Sequence, residues 1–181
     1  MKSKFLSLYL SELNGLFDHI DHELWLKMEG RLRALRDKAK GKVLIFGNGG
    51  SAAVAEHVSL DYTKAAGLPC LTLSSAPMLS CFANDFGYEH SQLNFIKYFA
   101  TPDDVIVLIS SSGKSPNILN CATYCEENAL TYFTLTGFSE VSPIRQINAT
   151  VNFWIPVDNY NHIENAHQVI LLSICDSLRE R

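Results

Sequence analysis

The sequence predicts an α/β protein: a five-stranded parallel sheet with helices on both faces, preceded by a helical pair. Three observations carry this expectation. Apolar residues recur at three- and four-residue steps through the first forty positions, the period of one helix face. After Lys42, short apolar runs alternate with helical stretches. The runs lack in-out alternation, as strands buried on both faces do, and strands joined by helical crossovers pair in parallel.

Taken in order, Leu6, Tyr9, Leu10, Leu13, Leu16, Phe17 and Ile20 form the apolar face of a first helix. Asp21 is placed to cap a second, which carries Leu24, Met28, Leu32 and Leu35 on one side. Its far end is basic (Arg31, Arg33, Arg36, Lys38, Lys40) and reads as a solvated face whose charges suit the C-terminal helix dipole. Strand Val43–Phe46 then leads to a helix from about Ser51, and strand Cys70–Leu73 to helical pieces reaching Phe99. Strand Val105–Ile109 precedes a helix from about Ser115, and Tyr132–Leu135 a short helix near Ile144. Strand Val151–Ile155 precedes a last helix from about Asn161. No repeat, low-complexity segment or long linker divides the chain, so residues 1–181 read as one domain, a helical pair over 1–40 and an α/β core over 41–181. The pair has more apolar surface than one small domain covers, so homo-oligomerisation is expected.

The composition narrows the function. The chain has 181 residues, 47% hydrophobic and 19% charged, with net charge −4, which suits a globular protein and gives no basic excess for nucleic-acid binding. The longest apolar runs fall far short of the ~20 residues of a membrane span. The start, Met1-Lys2-Ser3-Lys4, is basic, but Ser7, Ser11, Glu12 and Asn14 interrupt the apolar residues after it, making a poor secretory signal. Five cysteines, an odd number, point to reduced thiols and a cytoplasmic location. Cys121 and Cys125 share a helix face without further ligands at zinc spacing, so they read as buried small hydrophobes.

Ligands of open parallel sheets bind beyond the carboxyl ends of the strands, where two loops carry suggestive chemistry. Gly47-Asn48-Gly49-Gly50-Ser51 comes after the first strand; its glycines allow close backbone approach, and Ser51 opens a helix whose N-terminus attracts anions. It matches neither a dinucleotide fingerprint nor a Walker loop, and a plain tight turn is the alternative. Ser110-Ser111-Ser112-Gly113-Lys114-Ser115 comes after the third strand. One cap needs one serine, not four, so this loop reads as an anion site.

Together with His57, Asn84-Asp85 and Leu135-Thr136-Gly137, these loops closely resemble the SIS (sugar isomerase) domain, nearest its phosphoheptose isomerase branch. The resemblance runs from about Gly41 to Ser177. It implies a flavodoxin-like sheet and a homotetramer with phosphosugar sites between subunits. It also implies that Ser51, Ser110, Ser111, Ser112 and Ser115 hold the sugar phosphate, while Asn48, Gly49, Gly50, Asn84 and Asp85 contact the sugar chain. Two positions depart from the isomerase pattern. Asp61 stands four residues after His57 where the family has Glu, and the last-helix positions of a Gln and a His are Glu164 and Leu172.

Interconverting a ketose and an aldose phosphate moves a proton between neighbouring carbons through an enediol, which needs a base and a group to steady the oxygen. The resemblance places Asp61 and Glu164 as the acid/base candidates, and His57, Asp61 and Glu164 as the ligands of a weakly held zinc, since Leu172 removes a donor. His162 and His167 lie near Glu164 in sequence, but helical geometry does not assure that they substitute for it, and they read as surface or interface residues. Two functions are compatible with these residues: a phosphoheptose isomerase-like enzyme, or a non-catalytic phosphosugar-binding module resembling the replication-initiator-associating proteins of the same branch.

Overall fold

The computed structural model describes residues 3–180; Met1 and Lys2 of the basic start lie outside them. The helical pair is α1 (Lys4–Phe17) and α2 (His22–Asp37). The expected cap forms: Asp21 Oδ1 accepts hydrogen bonds from the amides of Glu23 and Leu24, at 2.9 and 3.0 Å. The core continues as β1 (Val43–Phe46), α3 (Gly50–Lys64), β2 (Cys70–Leu71), α4 (Ala76–Phe86), α5 (Ser91–Phe99), β3 (Val105–Ser110), α6 (Pro116–Glu127), β4 (Thr131–Gly137), β5 (Val151–Ile155) and α7 (Tyr160–Arg179).

All five strands are parallel, in the order β2-β1-β3-β4-β5. This is the flavodoxin-like order, and its switch point lies between β1 and β3. Central strands β1 and β3 are buried along their full length because each side chain meets helices on one face or the other. Val43, Ile45, Val107 and Ile109 face a core shared with α2, α3 and α7. Leu44, Phe46, Ile106 and Leu108 face a second core shared with α5 and α6. The edge strands differ from expectation. β2 stops at Leu71, two residues early, because it pairs only with β1 before the chain turns into α4. β5 alternates buried and half-buried residues, since Val151, Phe153 and Ile155 face the first core while Asn152 and Trp154 point to the less covered face.

The basic end of α2 is a solvated face only in part: Arg31, Lys38 and Lys40 are exposed, but Arg33 and Arg36 are half-buried. Arg33 donates to the Ser177 carbonyl at 2.9 Å, and Arg36 to the carbonyl of Leu178. Both carbonyls lie in the last turn of α7, so the two arginines cap its C-terminus from a neighbouring helix. Arg31 reaches Thr131 Oγ1 at the start of β4, 2.9 Å away. The apolar face of α1 is only partly used: Leu16 is buried, but Phe5, Leu6, Leu8 and Leu10 are exposed. Among the described residues, no helix is long and apolar enough to cross a membrane. Cys70, Cys121, Cys125 and Cys175 are buried free thiols and Cys81 is an exposed one. Burial pushes the Cys125 thiol up to about 12, which suits the packing role expected of Cys121 and Cys125.

Candidate phosphosugar site at the sheet switch point

The serine loop joins β3 to α6. Ser115 is the N-cap residue of α6, yet its hydroxyl makes no capping bond to its own helix. It lies 3.2 Å from Ser110 Oγ, which donates to it. A lone cap serine normally spends its oxygen on first-turn amides. Here that helix start is left open, and the hydroxyls are gathered beside it. Ser112 Oγ accepts from the Lys114 amide at 3.3 Å, and Ser111 Oγ is buried without a partner. Gly113 turns the loop at φ +63°, and a Cβ there would overlap the buried Ser142 side chain. Ser142, whose hydroxyl also lacks a partner, thus forms the wall of the loop. Sequence reasoning missed it because it lies after β4 in an irregular segment.

At the neighbouring loop, the start of α3 already has an anion beside it. Gly50 is the first residue of α3, and a Cβ on it would overlap the Glu164 carboxylate of α7. The glycine is needed so that this carboxylate can approach. The α3 start that Ser51 opens thus has the protein's own Glu164 beside it, whereas no side chain caps the start of α6. Burial raises the Glu164 carboxyl above its ordinary value. Ser51 is itself buried.

Asn48 is half-buried and bonded to α6 through Asn117, with Asn48 Nδ2 donating to Asn117 Oδ1 at 3.0 Å. This bond links the two loops across the switch point. Asn84 and Asp85 lie exposed at the end of α4 and bond to each other, Asn84 Nδ2 donating to Asp85 Oδ1 at 2.9 Å.

α3 and α7 pack side by side and leave a groove between them. Its upper part is a cavity of about 470 Å³ whose lining includes Tyr9, Gly50, His57, Glu164 and Gln168. Its lower part, about 430 Å³, includes Asp61, Lys64, Leu172 and Asp176. His57 Nε2 lies 3.2 Å from Asp61 Oδ2, and Gln168 Nε2 lies 3.3 Å from His57 Nδ1. With Gln168 donating to Nδ1, the ring proton sits on Nε2 and faces Asp61. Asp61 and Leu172 face the same part of the groove, as their sequence positions require. The expected zinc set is not assembled. Among the described residues, no three His, Cys, Asp or Glu side chains come together to hold a metal. His57 pairs with Asp61, whereas Glu164 is held against Gly50, so the set does not fit a metal within one chain.

The two last-helix histidines are buried within the chain rather than at its surface. His162 stacks on Tyr9 of α1, ring centroids 4.5 Å apart. His167 Nε2 donates to the Thr136 carbonyl at 3.1 Å, tying α7 to the end of β4. Burial lowers the His167 imidazole to about 4, against an ordinary value near 6.5. Between those values the unfolded chain takes up a proton that the folded chain refuses. Stability should therefore fall as pH drops from about 6.5 to about 4, by ~3 kcal/mol in all, and gain nothing from His167 above that window. Denaturant unfolding at pH 7 and pH 4.5 checks this: His167→Gln should lose less stability than the parent over that interval. Equal losses would remove His167 as the cause.

The fold and site define a doubly wound α/β protein with a hydroxyl-rich strand-to-helix loop at the switch point. The chain belongs to the SIS domain family, whose model matches residues 8–137. Its similarity runs to the phosphoheptose isomerase branch. It is 29% identical to the phosphoheptose isomerase of Syntrophotalea carbinolica, across 99% of this chain and 95% of that protein. It is 30% identical to that of Geotalea daltonii, across 92% and 90%. Solved phosphoheptose isomerases share the fold. That of Neisseria gonorrhoeae gives a TM-score of 0.87 at 24% identity, covering 97% of this chain and 98% of that one. That of Francisella tularensis gives 0.88 at 21%, covering both chains completely.

Proposed function

We propose that this protein binds a sugar phosphate at the serine loop and isomerises ketose to aldose phosphates of the sedoheptulose 7-phosphate class. The observation that carries the reading is the α6 start: the Ser110 and Ser115 hydroxyls meet there at 3.2 Å, and Ser115 leaves its own helix uncapped. Hydroxyls and first-turn amides at a helix start suit a phosphate group. The full-length similarity to phosphoheptose isomerases supports the reaction class.

In this reading Asp61 and Glu164 are the acid/base pair. Burial raises the Glu164 carboxyl above its ordinary value, which makes it the better proton holder of the pair. The His57 proton on Nε2 keeps the Asp61 carboxylate oriented. Leu172, opposite Asp61, moves no proton, so turnover is slow. Zinc takes no step in this reading and is held weakly at most, through the His57–Asp61 pair. The free thiols suit a reducing, cytoplasmic setting, and nothing in the charge favours nucleic acid.

Calorimetry tests the phosphate site. Sedoheptulose 7-phosphate should bind far more tightly than sedoheptulose. Ser112→Ala and Ser115→Ala should each weaken that binding by roughly tenfold, the worth of one hydrogen bond to a charged group. Equal affinity for the sugar and its phosphate would remove the assignment.

The exposed apolar face of α1 supports assembly as a homotetramer. Phe5, Leu8 and Leu26 are 76%, 60% and 62% exposed in the single chain, more than a monomer usually leaves to water. Light scattering at micromolar protein should give a multiple of the 20.2 kDa chain mass. A monomer mass would count against it.

A further inference from the structure

Asn48 lies at the end of a hydrogen-bonded relay that begins inside the protein. Ser91 Oγ donates its one proton to the Tyr88 carbonyl at 2.8 Å and lies 2.7 Å from the Gln92 carboxamide, which meets the Asn117 carboxamide at 3.0 Å. Ser91, Gln92 and Asn117 are all buried. Asn117 Nδ2 also donates to Asn48 Oδ1 at 2.8 Å, while Asn48 Nδ2 donates back to Asn117 Oδ1. The exposed Tyr88 closes the relay from the other side, its hydroxyl donating to Asn48 Oδ1 at 2.8 Å.

A carboxamide has two N–H groups and two acceptor lone pairs. Of these four positions on Asn48, Asn117 takes two and Tyr88 one, so one is left for a ligand.

We infer that Tyr88, Asn117 and Gln92 are positioning residues that hold the Asn48 carboxamide in place, so that its one free hydrogen-bonding position meets a hydroxyl of the sugar chain and not the phosphate, which the serine loop receives. The Tyr88 bond has a second consequence. Tyr88 comes just after α4 and Gly87, so the bond ties the segment carrying Asn84 and Asp85 to the loop after β1. This inference rests on the phosphosugar reading above and deepens it by separating sugar recognition from phosphate recognition.

The test uses two ligands, sedoheptulose 7-phosphate and inorganic phosphate, measured on the full chain. Tyr88→Phe removes one hydroxyl from a half-exposed side chain and should leave the fold intact. It should weaken sugar phosphate binding about three- to tenfold, the worth of one net hydrogen bond, and leave inorganic phosphate binding unchanged. Gln92→Leu should act in the same direction. In an Asn48→Ala background, Tyr88→Phe should have no further effect, because its only route to the ligand is through Asn48. Equal weakening of both ligands, an unchanged sugar phosphate affinity, or additive losses in the Asn48→Ala background would each overturn the inference. Failure of the functional reading is distinguishable, since it shows in the parent protein: no preference for sugar phosphate over phosphate would end both.

Discussion

Leu172→His is expected to raise ketose-phosphate isomerase activity by roughly 10²-fold or more, the usual worth of a positioned general acid or base. The reason is its place in the groove. Leu172 and Asp61 line the same cavity between α3 and α7, and the parent leucine contributes no proton and no lone pair there. An imidazole at this position would face Asp61, whose other neighbour is the Nε2 proton of His57. The same substitution should change metal uptake. In the parent protein the His57–Asp61 pair alone should hold zinc too weakly to survive dialysis, and Leu172→His should create measurable uptake by adding a third donor beside it. A coupled assay on protein made in a host lacking its own isomerase, with zinc titration of the same samples, reads both effects. No gain in either would mean that the groove is not where the proton is moved, and would favour a binding module without turnover.

Gly113→Val should abolish phosphosugar binding and destabilise the fold by about 3 kcal/mol. Two costs combine. A β-branched residue at φ +63° meets the left-handed backbone penalty of ~1–2 kcal/mol, and its Cβ and methyls must displace Ser142 from a buried wall, which adds ~1–3 kcal/mol of overpacking. Because Ser142 is fixed from behind, the loop rather than the wall must shift, and Ser110, Ser112 and Ser115 then lose their common focus. Thermal unfolding and phosphosugar calorimetry measure the two effects. A variant that binds normally would show that the loop does not depend on this turn.

The sequence made the layered core legible because each strand and helix has its own period. Val43–Phe46 and Val105–Ile109 are unbroken apolar runs, and the structure buries both on two faces. The short second strand was not legible, since Thr72 and Leu73 extend its apolar composition while strand length at an edge depends on the partner. At the site, residue types and spacing revealed the serine loop and the His57–Asp61 pair, both local in the chain. What they hid was long-range. That Glu164 occupies the start of α3 depends on packing between residues more than a hundred positions apart, and so does its separation from His57. The Asn48 relay did leave a trace. Gln92 falls on the stripe of Phe95, Ile96 and Phe99, and Asn117 joins the buried stripe of Ile118, Cys121 and Cys125. A polar amide on a buried stripe needs a polar partner, although the sequence does not say which one.

The arginine caps on α7 tie the first forty residues to the groove a second time, beyond the place of Tyr9 in its lining. Glu164, His167, Gln168 and Leu172 all ride on α7, and the terminal carbonyls of that helix are received by Arg33 and Arg36. Alignment of the groove is thus inherited from the opposite end of the polypeptide, and trimming the chain from its start would fray its finish. Evolution can retune the groove one α7 side chain at a time, as at residues 164 and 172, because the helix itself is anchored from outside the site.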